Sequence, residues 1–143
     1  MNKLGIVLIL TMVFLTASWV WMVSGSKQDP APSKIPMTLS SQSDEKGDVA
    51  VKVTPISLEP GKQAKFEVVL DTHSVELIYH MVKISSLSDN QGNALNPVSW
   101  SGGLGGHHLK GELVFPPLKM DAKSIELFIS GIDGFDRSFS WNI

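Results

Sequence analysis

Residues 49–70, VAVKVTPISLEPGKQAKFEVVL, contain two runs in which apolar and polar side chains alternate. Valine takes every second position of VAVKV, and apolar residues do the same from Phe66 to Leu70. A period of two places one set of side chains on one face of an extended strand. Pro60 and Gly61, between the runs, are typical of a turn. The stretch therefore predicts two neighbouring strands, each with one buried face.

The rest of the C-terminal part continues this pattern. Apolar side chains alternate with polar ones at 125–129 and at 139–141. Residues 77–87 predict two strands or one bent strand, and residues 95–100 predict an edge strand because Pro97 cannot donate to a sheet ladder. Seven or eight strands without an amphipathic helix indicate an all-β domain, an immunoglobulin-like β-sandwich, with a small closed barrel as the alternative.

The aromatic residues and one histidine complete this expectation. His80 stands in the middle of the strand predicted within residues 77–87, so we expect its side chain to be half-buried. Large aromatic side chains at alternating strand positions are expected to fill the core. This group comprises Phe66, Trp100, Phe115, Phe128, Phe139 and Trp141.

The first 25 residues differ in composition from the remainder. Residues 4–23 form a run of 20 without a charged side chain. As a helix, such a run spans about 30 Å, the thickness of the hydrocarbon core of a bilayer. Trp19 and Trp21 stand near its end, where indole rings favour the membrane interface. Residues 1–25 are therefore predicted to be a transmembrane anchor, and a cleaved signal peptide with an unusually long apolar region is the alternative.

An apolar segment at the amino terminus followed by a long polar domain indicates export of that domain. We therefore expect a single-pass protein of the cell membrane whose C-terminal domain is extracytoplasmic. Residues 26–47 contain Pro30, Pro32 and Pro36 among many Gly and Ser residues and predict a flexible tether. Residues 48–143 are predicted to be the folded β-sandwich domain.

Overall composition excludes several classes of function. The chain of 143 residues carries 12 Lys and Arg against 14 Asp and Glu, a formal net charge of −2. Binding to nucleic acid requires a basic surface, so this class of partner is not expected. The chain has no Cys, which excludes disulfides, thiol catalysis and metal sites built on Cys.

Two segments carry a resemblance to a known group of proteins. DTHS at residues 71–74 and GGHHLKGELVF at residues 105–115 resemble segments of uncharacterised prokaryotic exported domains. Those domains are immunoglobulin-like, are often membrane-anchored, and carry DTHS and GGHH-x-x-G-x-L-x-F segments. The resemblance covers roughly residues 51–142. It implies a fold and an extracytoplasmic location, but no activity.

Three of the four histidines fall in two predicted loops. His73 is close to Asp71, and His107 and His108 follow the run SGGLGG. If both loops lie at the same end of the sandwich, these four side chains meet there, and imidazole with carboxylate suits Cu or Zn. The structural alternative is that Asp71 and Thr72 close a turn through bonds to the backbone, while a histidine locks the glycine loop.

Catalysis is not expected from these residues. Asp71, His73 and Ser74 are too close in sequence to reach the geometry of a catalytic triad, and no G-x-S-x-G motif is present. The sequence therefore predicts a membrane-tethered extracytoplasmic module that binds a protein or another ligand. A metal-binding or metal-delivery domain built on His73, His107, His108 and Asp71 is the alternative.

Overall fold

The alternating runs form antiparallel strands in two sheets of the computed structural model, which describes residues 39–143. The predicted anchor, residues 1–25, and the first part of the predicted tether lie outside the described residues. No helix within residues 39–143 is both long and apolar enough to cross a bilayer. In chain order, the elements are β1 (Gln42–Asp44), β2 (Val49–Ser57), β3 (Gln63–Thr72), α1 (Met81–Ile84), β4 (Ser85–Asp89), β5 (Ala94–Leu95), β6 (Ser99–Trp100), β7 (His108–Pro117), β8 (Ser124–Ile132) and β9 (Phe135–Asn142).

One sheet has five strands in the order β1-β2-β3-β7-β6, and the other has four in the order β5-β4-β8-β9. Every pairing is antiparallel. The two runs that open the domain are β2 and β3, and they pair with Val51 opposite Leu70 and Val53 opposite Val68. All four side chains are fully buried. The predicted all-β class with two packed sheets is therefore confirmed.

The core lies between the two sheets and contains side chains from both. The ring of Phe66 in β3 lies 5.9 Å from that of Phe115 in β7, edge to face, and 5.4 Å from that of Trp141 in the opposite sheet. Phe139 also packs against Trp141. Such aromatic contacts bury large apolar areas, and their ring geometry stabilises the sandwich beyond what the buried area alone contributes. The predicted core positions of these four aromatic residues are thus confirmed.

Two predicted core residues are not fully buried. Trp100 is half-buried and packs against the core, whereas Phe128 has 38% of its surface exposed. Phe128 occupies an outward position of β8, between the buried Leu127 and Ile129. The prediction was wrong here because alternation assigns side chains to two faces, and an aromatic residue on the outer face remains in solvent.

The number of strands within residues 39–143 is nine, where the pattern predicted seven or eight. Residues 95–100 do not form the single edge strand that was predicted. The chain passes from β5, which pairs with β4, to β6, which pairs with β7 in the other sheet. Pro97 is buried between them, and its missing N–H interrupts the ladder at the crossing.

Residues 77–87 also differ from the prediction. A single helical turn, α1, precedes β4, and Met81 at its start is fully buried. His80 directly precedes α1 and is exposed, so the prediction of a half-buried strand residue was wrong. The apolar run contains one buried side chain on a helical turn and then a strand. Hydrophobic periodicity in so short a run does not distinguish this arrangement from a bent strand.

Part of the predicted tether belongs to the folded unit. β1 falls within residues 26–47 and pairs with β2. Gln42 Nε2 donates a hydrogen bond of 2.6 Å to the Ser140 carbonyl oxygen, and the Ser140 N–H donates to Gln42 Oε1 at 3.4 Å. The Gln42 side chain therefore bonds the free edge of β9 as a neighbouring strand would. The folded unit accordingly extends to the amino-terminal side of residue 48.

Arg137 of β9 is fully buried beneath the turn that follows β1. Its Nη2 donates to the carbonyl oxygens of Lys46 and Val49, and its Nε lies 3.3 Å from Asp44 Oδ1. Burial by itself raises the pKa of Asp44, but hydrogen bonds from Lys46 and the charges of Arg137 and Lys46 outweigh it. The pKa of Asp44 is therefore held below its ordinary value.

The ion pair between Asp44 and Arg137 predicts that the folded domain loses stability in acid. A carboxyl group with a lowered pKa stabilises the folded state above its unfolded pKa, and the contribution is lost as pH falls through the folded pKa. Asp44→Asn is expected to lower the free energy of unfolding at pH 7 by about 2–4 kcal/mol, because it leaves a buried arginine without its counter-charge. It should also flatten the decline below about pH 4.

Urea unfolding of the fragment Thr38–Ile143, which is one compact unit, measures both effects. Glu45→Gln, an exposed neighbouring carboxylate, is the control and should retain the stability and the pH profile of the unmodified fragment. An unchanged pH profile in Asp44→Asn would show that Asp44 contributes nothing to acid sensitivity.

Candidate functional site

The candidate residues lie in, or directly beside, two loops at the same end of the sandwich. One loop, residues 73–80, follows β3, and the other, residues 101–107, precedes β7. We call this region the loop end. Three backbone hydrogen bonds join the loops: Thr72 N–H to the His107 carbonyl at 3.0 Å, Leu77 N–H to the Gly106 carbonyl at 2.9 Å, and Gly105 N–H to the Leu77 carbonyl at 2.8 Å.

Three of the four predicted site residues come together there. β3 and β7 pair with Asp71 opposite His108, and His108 Nδ1 lies 2.7 Å from Asp71 Oδ1. The centroid of the His73 ring is 6.4 Å from that of His108, and the ring planes are nearly perpendicular. All three side chains are exposed. The result is an open carboxylate–imidazole pair with a second imidazole beside it.

His107 belongs to a different contact. Its Nε2 lies 4.0 Å from Glu76 Oε2, and Glu76 Oε1 accepts a 2.8 Å hydrogen bond from the Gly106 N–H. Adjacent residues of extended chain point to opposite sides, which separates His107 from His108. Among residues 39–143, no three His, Cys, Asp or Glu side chains are grouped so that they could hold one metal ion. The sequence analysis did not identify Glu76, because no local pattern indicates its contact with a loop 30 residues away.

The turn after β3 is closed by Thr72. Its Oγ1 accepts hydrogen bonds from the backbone N–H groups of Ser74 at 3.3 Å and Val75 at 3.2 Å, and the residue is buried. This is the turn-closing role described above as the structural alternative for Asp71 and Thr72. Thr72 performs it, whereas the Asp71 carboxylate bonds to His108.

The glycine loop is packed against an indole ring. Trp100 Nε1 donates a 2.9 Å hydrogen bond to the Gly103 carbonyl oxygen. A Cβ atom at Gly102 would lie 2.1 Å from the ring of Trp100, so only glycine permits this approach. Gly103 has φ of +76°, which glycine adopts without strain. The loop therefore has a defined shape, and Leu104 at its tip is 52% exposed.

Between the glycine loop and α1 lies an apolar groove of about 300 Å³. Trp100 and Leu104 form one wall, and residues 79–83 form the other. The Tyr79 hydroxyl is fixed by a 2.9 Å hydrogen bond from the Asp133 N–H. Val82 in the wall and Ile78 beside it are exposed. The sequence prediction placed Trp100 in the core and so missed this groove. The available signal was Leu104, the single apolar residue of the loop SGGLGG.

The comparisons with known proteins add no relative. No protein-family model matches the chain, and no curated protein matches it either. The resemblance of the DTHS and GGHH segments to exported domains therefore stays a prediction.

The contact between Gly102 and Trp100 predicts a specific effect of Gly102→Ala. The added methyl group must displace a rigid ring, and overpacking of this kind costs about 1–3 kcal/mol. We expect lower stability in urea and a red-shifted emission from the fragment Thr38–Ile143, whose tryptophans are Trp100 and Trp141.

Leu104→Ala, at the exposed tip of the same loop, is the matched control. It should stay within about 0.5 kcal/mol of the unmodified fragment, since surface substitutions rarely exceed that value. Equal stability of Gly102→Ala and the unmodified fragment would contradict the packing of the loop on the indole.

Proposed function

We propose that this chain is a membrane-tethered extracytoplasmic module that binds a partner without catalysis, and that the groove at the loop end is its binding surface. The observation that carries the proposal is the exposure of large apolar side chains around a groove with rigid walls. Soluble monomers rarely expose contiguous apolar surface unless it has a binding role. Loops held on a rigid β-scaffold are also where binding residues concentrate.

The groove has the composition of a binding hot spot, the part of an interface that contributes most of the binding energy. Trp and Tyr are enriched among residues that dominate binding energy, and this groove presents Trp100 and Tyr79. Both are already fixed by hydrogen bonds, to the Gly103 carbonyl and from the Asp133 N–H respectively. A partner therefore loses little binding energy to the ordering of these walls. Leu104 adds an exposed apolar side chain at the rim.

The arrangement of the polar residues supports a non-catalytic role. A hydrolase of the serine type would need a hydroxyl next to the imidazole of the Asp71–His108 pair. The ring next to His108 is that of His73. The group that contacts this pair is a second imidazole, which suits ligand binding and not catalysis of the serine type.

The strand order supports the immunoglobulin-like assignment. In immunoglobulin sandwiches, strands A, B, E and D form one sheet and strands C, F and G the other, to which variable-type domains add C′. With β2 as strand A, the chain order gives A-B-E-D as β2-β3-β7-β6 and C′-C-F-G as β5-β4-β8-β9. β1 is an additional strand outside A. The Cys pair of antibody domains is absent because the chain has no Cys.

Placement outside the cytoplasm is proposed on the strength of the uncharged run at residues 4–23. A flexible tether ahead of the domain would keep it within reach of the membrane and leave it free to rotate. A binding module of this form samples partners on or close to its own membrane.

Single cysteines test location and occupancy together, because the chain has no Cys of its own. Leu104→Cys probes the groove. Met120→Cys is the matched control, since Met120 is 79% exposed and lies at the opposite end of β3, beside Gly61. Intact cells are treated with a membrane-impermeant maleimide, and labelling rates are compared with those of the purified chain.

We expect Met120→Cys to be labelled in cells, because the domain lies outside the cytoplasm. Leu104→Cys should react several-fold more slowly in cells than in the purified protein, because a partner covers the groove. Absence of labelling at both positions would contradict extracytoplasmic display. An unchanged ratio between the two rates would contradict occupancy of the groove.

A second candidate function, transition-metal binding, is favoured by the contact between His108 and Asp71. When an imidazole donates Nδ1–H to a carboxylate, its Nε2 is the free nitrogen in the neutral tautomer that binds metals. His73 is the adjacent second imidazole. These residues and solvent would complete an open Cu or Zn site, with Asp71 as the orienting group and His107 apart from it.

Thermal unfolding of the fragment Thr38–Ile143 with and without Zn or Cu tests this candidate. A metal that binds only the folded state stabilises it by about 2.7 kcal/mol at a hundredfold excess over its Kd. His73→Ala and His108→Ala should abolish the shift in Tm, whereas His80→Ala, which alters an exposed histidine before α1, should retain it. The same Tm with and without saturating metal would rule out the site.

A further inference from the structure

On the outer face of the four-stranded sheet, β4 and β9 carry serine hydroxyls. The strand between them, β8, carries a carboxylate and an aromatic ring. β8 lies between β4 and β9, so its outward residues each face one residue on either side. The register places these side chains in two rows. The rows are Ser88–Glu126–Ser140 and Ser86–Phe128–Ser138, and we call these six residues the serine face.

A polar cavity of about 340 Å³ lies at one end of the serine face. Ser88, Glu126 and Ser140 line it, together with the amide residues Asn90 and Asn142 beyond the row. The cavity is therefore surrounded by hydroxyl, amide and carboxylate groups, each able to bond a ligand hydroxyl. Neighbouring strands lie about 4.8 Å apart, so one row spans roughly 10 Å.

The charge of the face restricts the ligand. Glu126 is the one charged residue among the six, and its Oε1 accepts a hydrogen bond from the Ser138 hydroxyl. Asp89, a second carboxylate, also lines the cavity, and its oxygens accept hydrogen bonds from Gln91 and Asn93. Two carboxylates disfavour phosphate, sulfate and anionic lipid headgroups. Anionic ligands are therefore disfavoured at this face.

The composition also argues against a protein partner on this face. Ser and Glu are depleted in the centres of protein–protein interfaces, whereas they make up five of the six residues here. Phe128 is the exception, and 38% of its surface is exposed. Phe128 lies one row along β8 from Glu126 in the cavity wall, so its ring offers an apolar platform next to hydrogen-bonding groups.

We infer that the serine face is a binding site for a neutral saccharide. A sugar ring has apolar C–H faces and a rim of hydroxyl groups, which match an aromatic platform and a polar cavity respectively. The Phe128 ring supports the C–H face, and the free Oε2 of Glu126 accepts hydrogen bonds from ligand hydroxyls. Ser88 and Ser140 flank Glu126 and bond hydroxyls on either side. This site is independent of the groove at the loop end.

Direct binding of neutral trisaccharides to the full chain tests the inference. The protein is kept in a zwitterionic detergent without a sugar headgroup, so that the detergent does not compete. The probes are trisaccharides of glucose, mannose and N-acetylglucosamine, with a sulfated oligosaccharide as the charge control. At least one neutral probe should bind at millimolar concentration or below, and the sulfated probe should not.

Two variants locate the site. Glu126→Gln and Phe128→Ala should each weaken binding by about tenfold, as expected for loss of one charged hydrogen bond or one stacking contact. Glu67→Gln removes a carboxylate from the outer face of the other sheet, where it pairs with Lys110, and should bind the saccharide normally. The Tm of each variant, measured in the same detergent, reports whether it is folded.

Three results would overturn the inference. The first is that none of the neutral probes binds. The second is saccharide binding that both folded variants retain in full. The third is a change of oligomeric state in Glu126→Gln or Phe128→Ala without saccharide, which would make the face a contact between copies of this chain. None of these results depends on labelling at Leu104, so the groove is judged separately.

Discussion

Antiparallel pairing between β3 and β7 sets the position of every candidate residue at the loop end. The register places Phe66 opposite Leu113 and Leu70 opposite Leu109, and all four side chains face the core. A slip of one residue would turn this set into solvent, so the hydrophobic pattern allows one register. Because that register is obligatory, Asp71 and His108 become cross-strand neighbours on the outer face. The core therefore positions an exposed polar pair that contributes nothing to the core itself.

The free edge of β9 illustrates a second constraint. An exposed edge strand offers unpaired N–H and C=O groups to other chains, and folded proteins block such edges. Here the Gln42 amide bonds both backbone groups of Ser140, and Lys46 Nζ donates to the Asp136 carbonyl oxygen. Arg137 reaches from β9 to the turn after β1. The segment that leads into the domain therefore also covers the free edge of β9.

The two surfaces proposed for binding differ in chemistry because they come from different parts of the fold. The groove arises where loops cross one end of the sandwich, and its shape depends on glycines that let the backbone lie against Trp100. The serine face arises from the regular alternation of β4, β8 and β9, whose outer positions are free of packing demands. The loops therefore form a concave apolar groove, and the strands form a flat polar face.

Alternation with a period of two is a local property of the chain, so the sequence was enough to predict the all-β class, strands through residues 49–53 and 66–70, and the buried side of each. The predicted membrane anchor also rests on sequence alone. The folded arrangement was needed to see that His107 contacts Glu76 while His108 contacts Asp71, that Phe128 faces solvent, and that residues 95–100 divide between two sheets. These outcomes depend on partners distant in the chain, as with Gln42 and Ser140, 98 residues apart. Local patterns assign a residue to a face, but the packing of the sheets decides what lies opposite it.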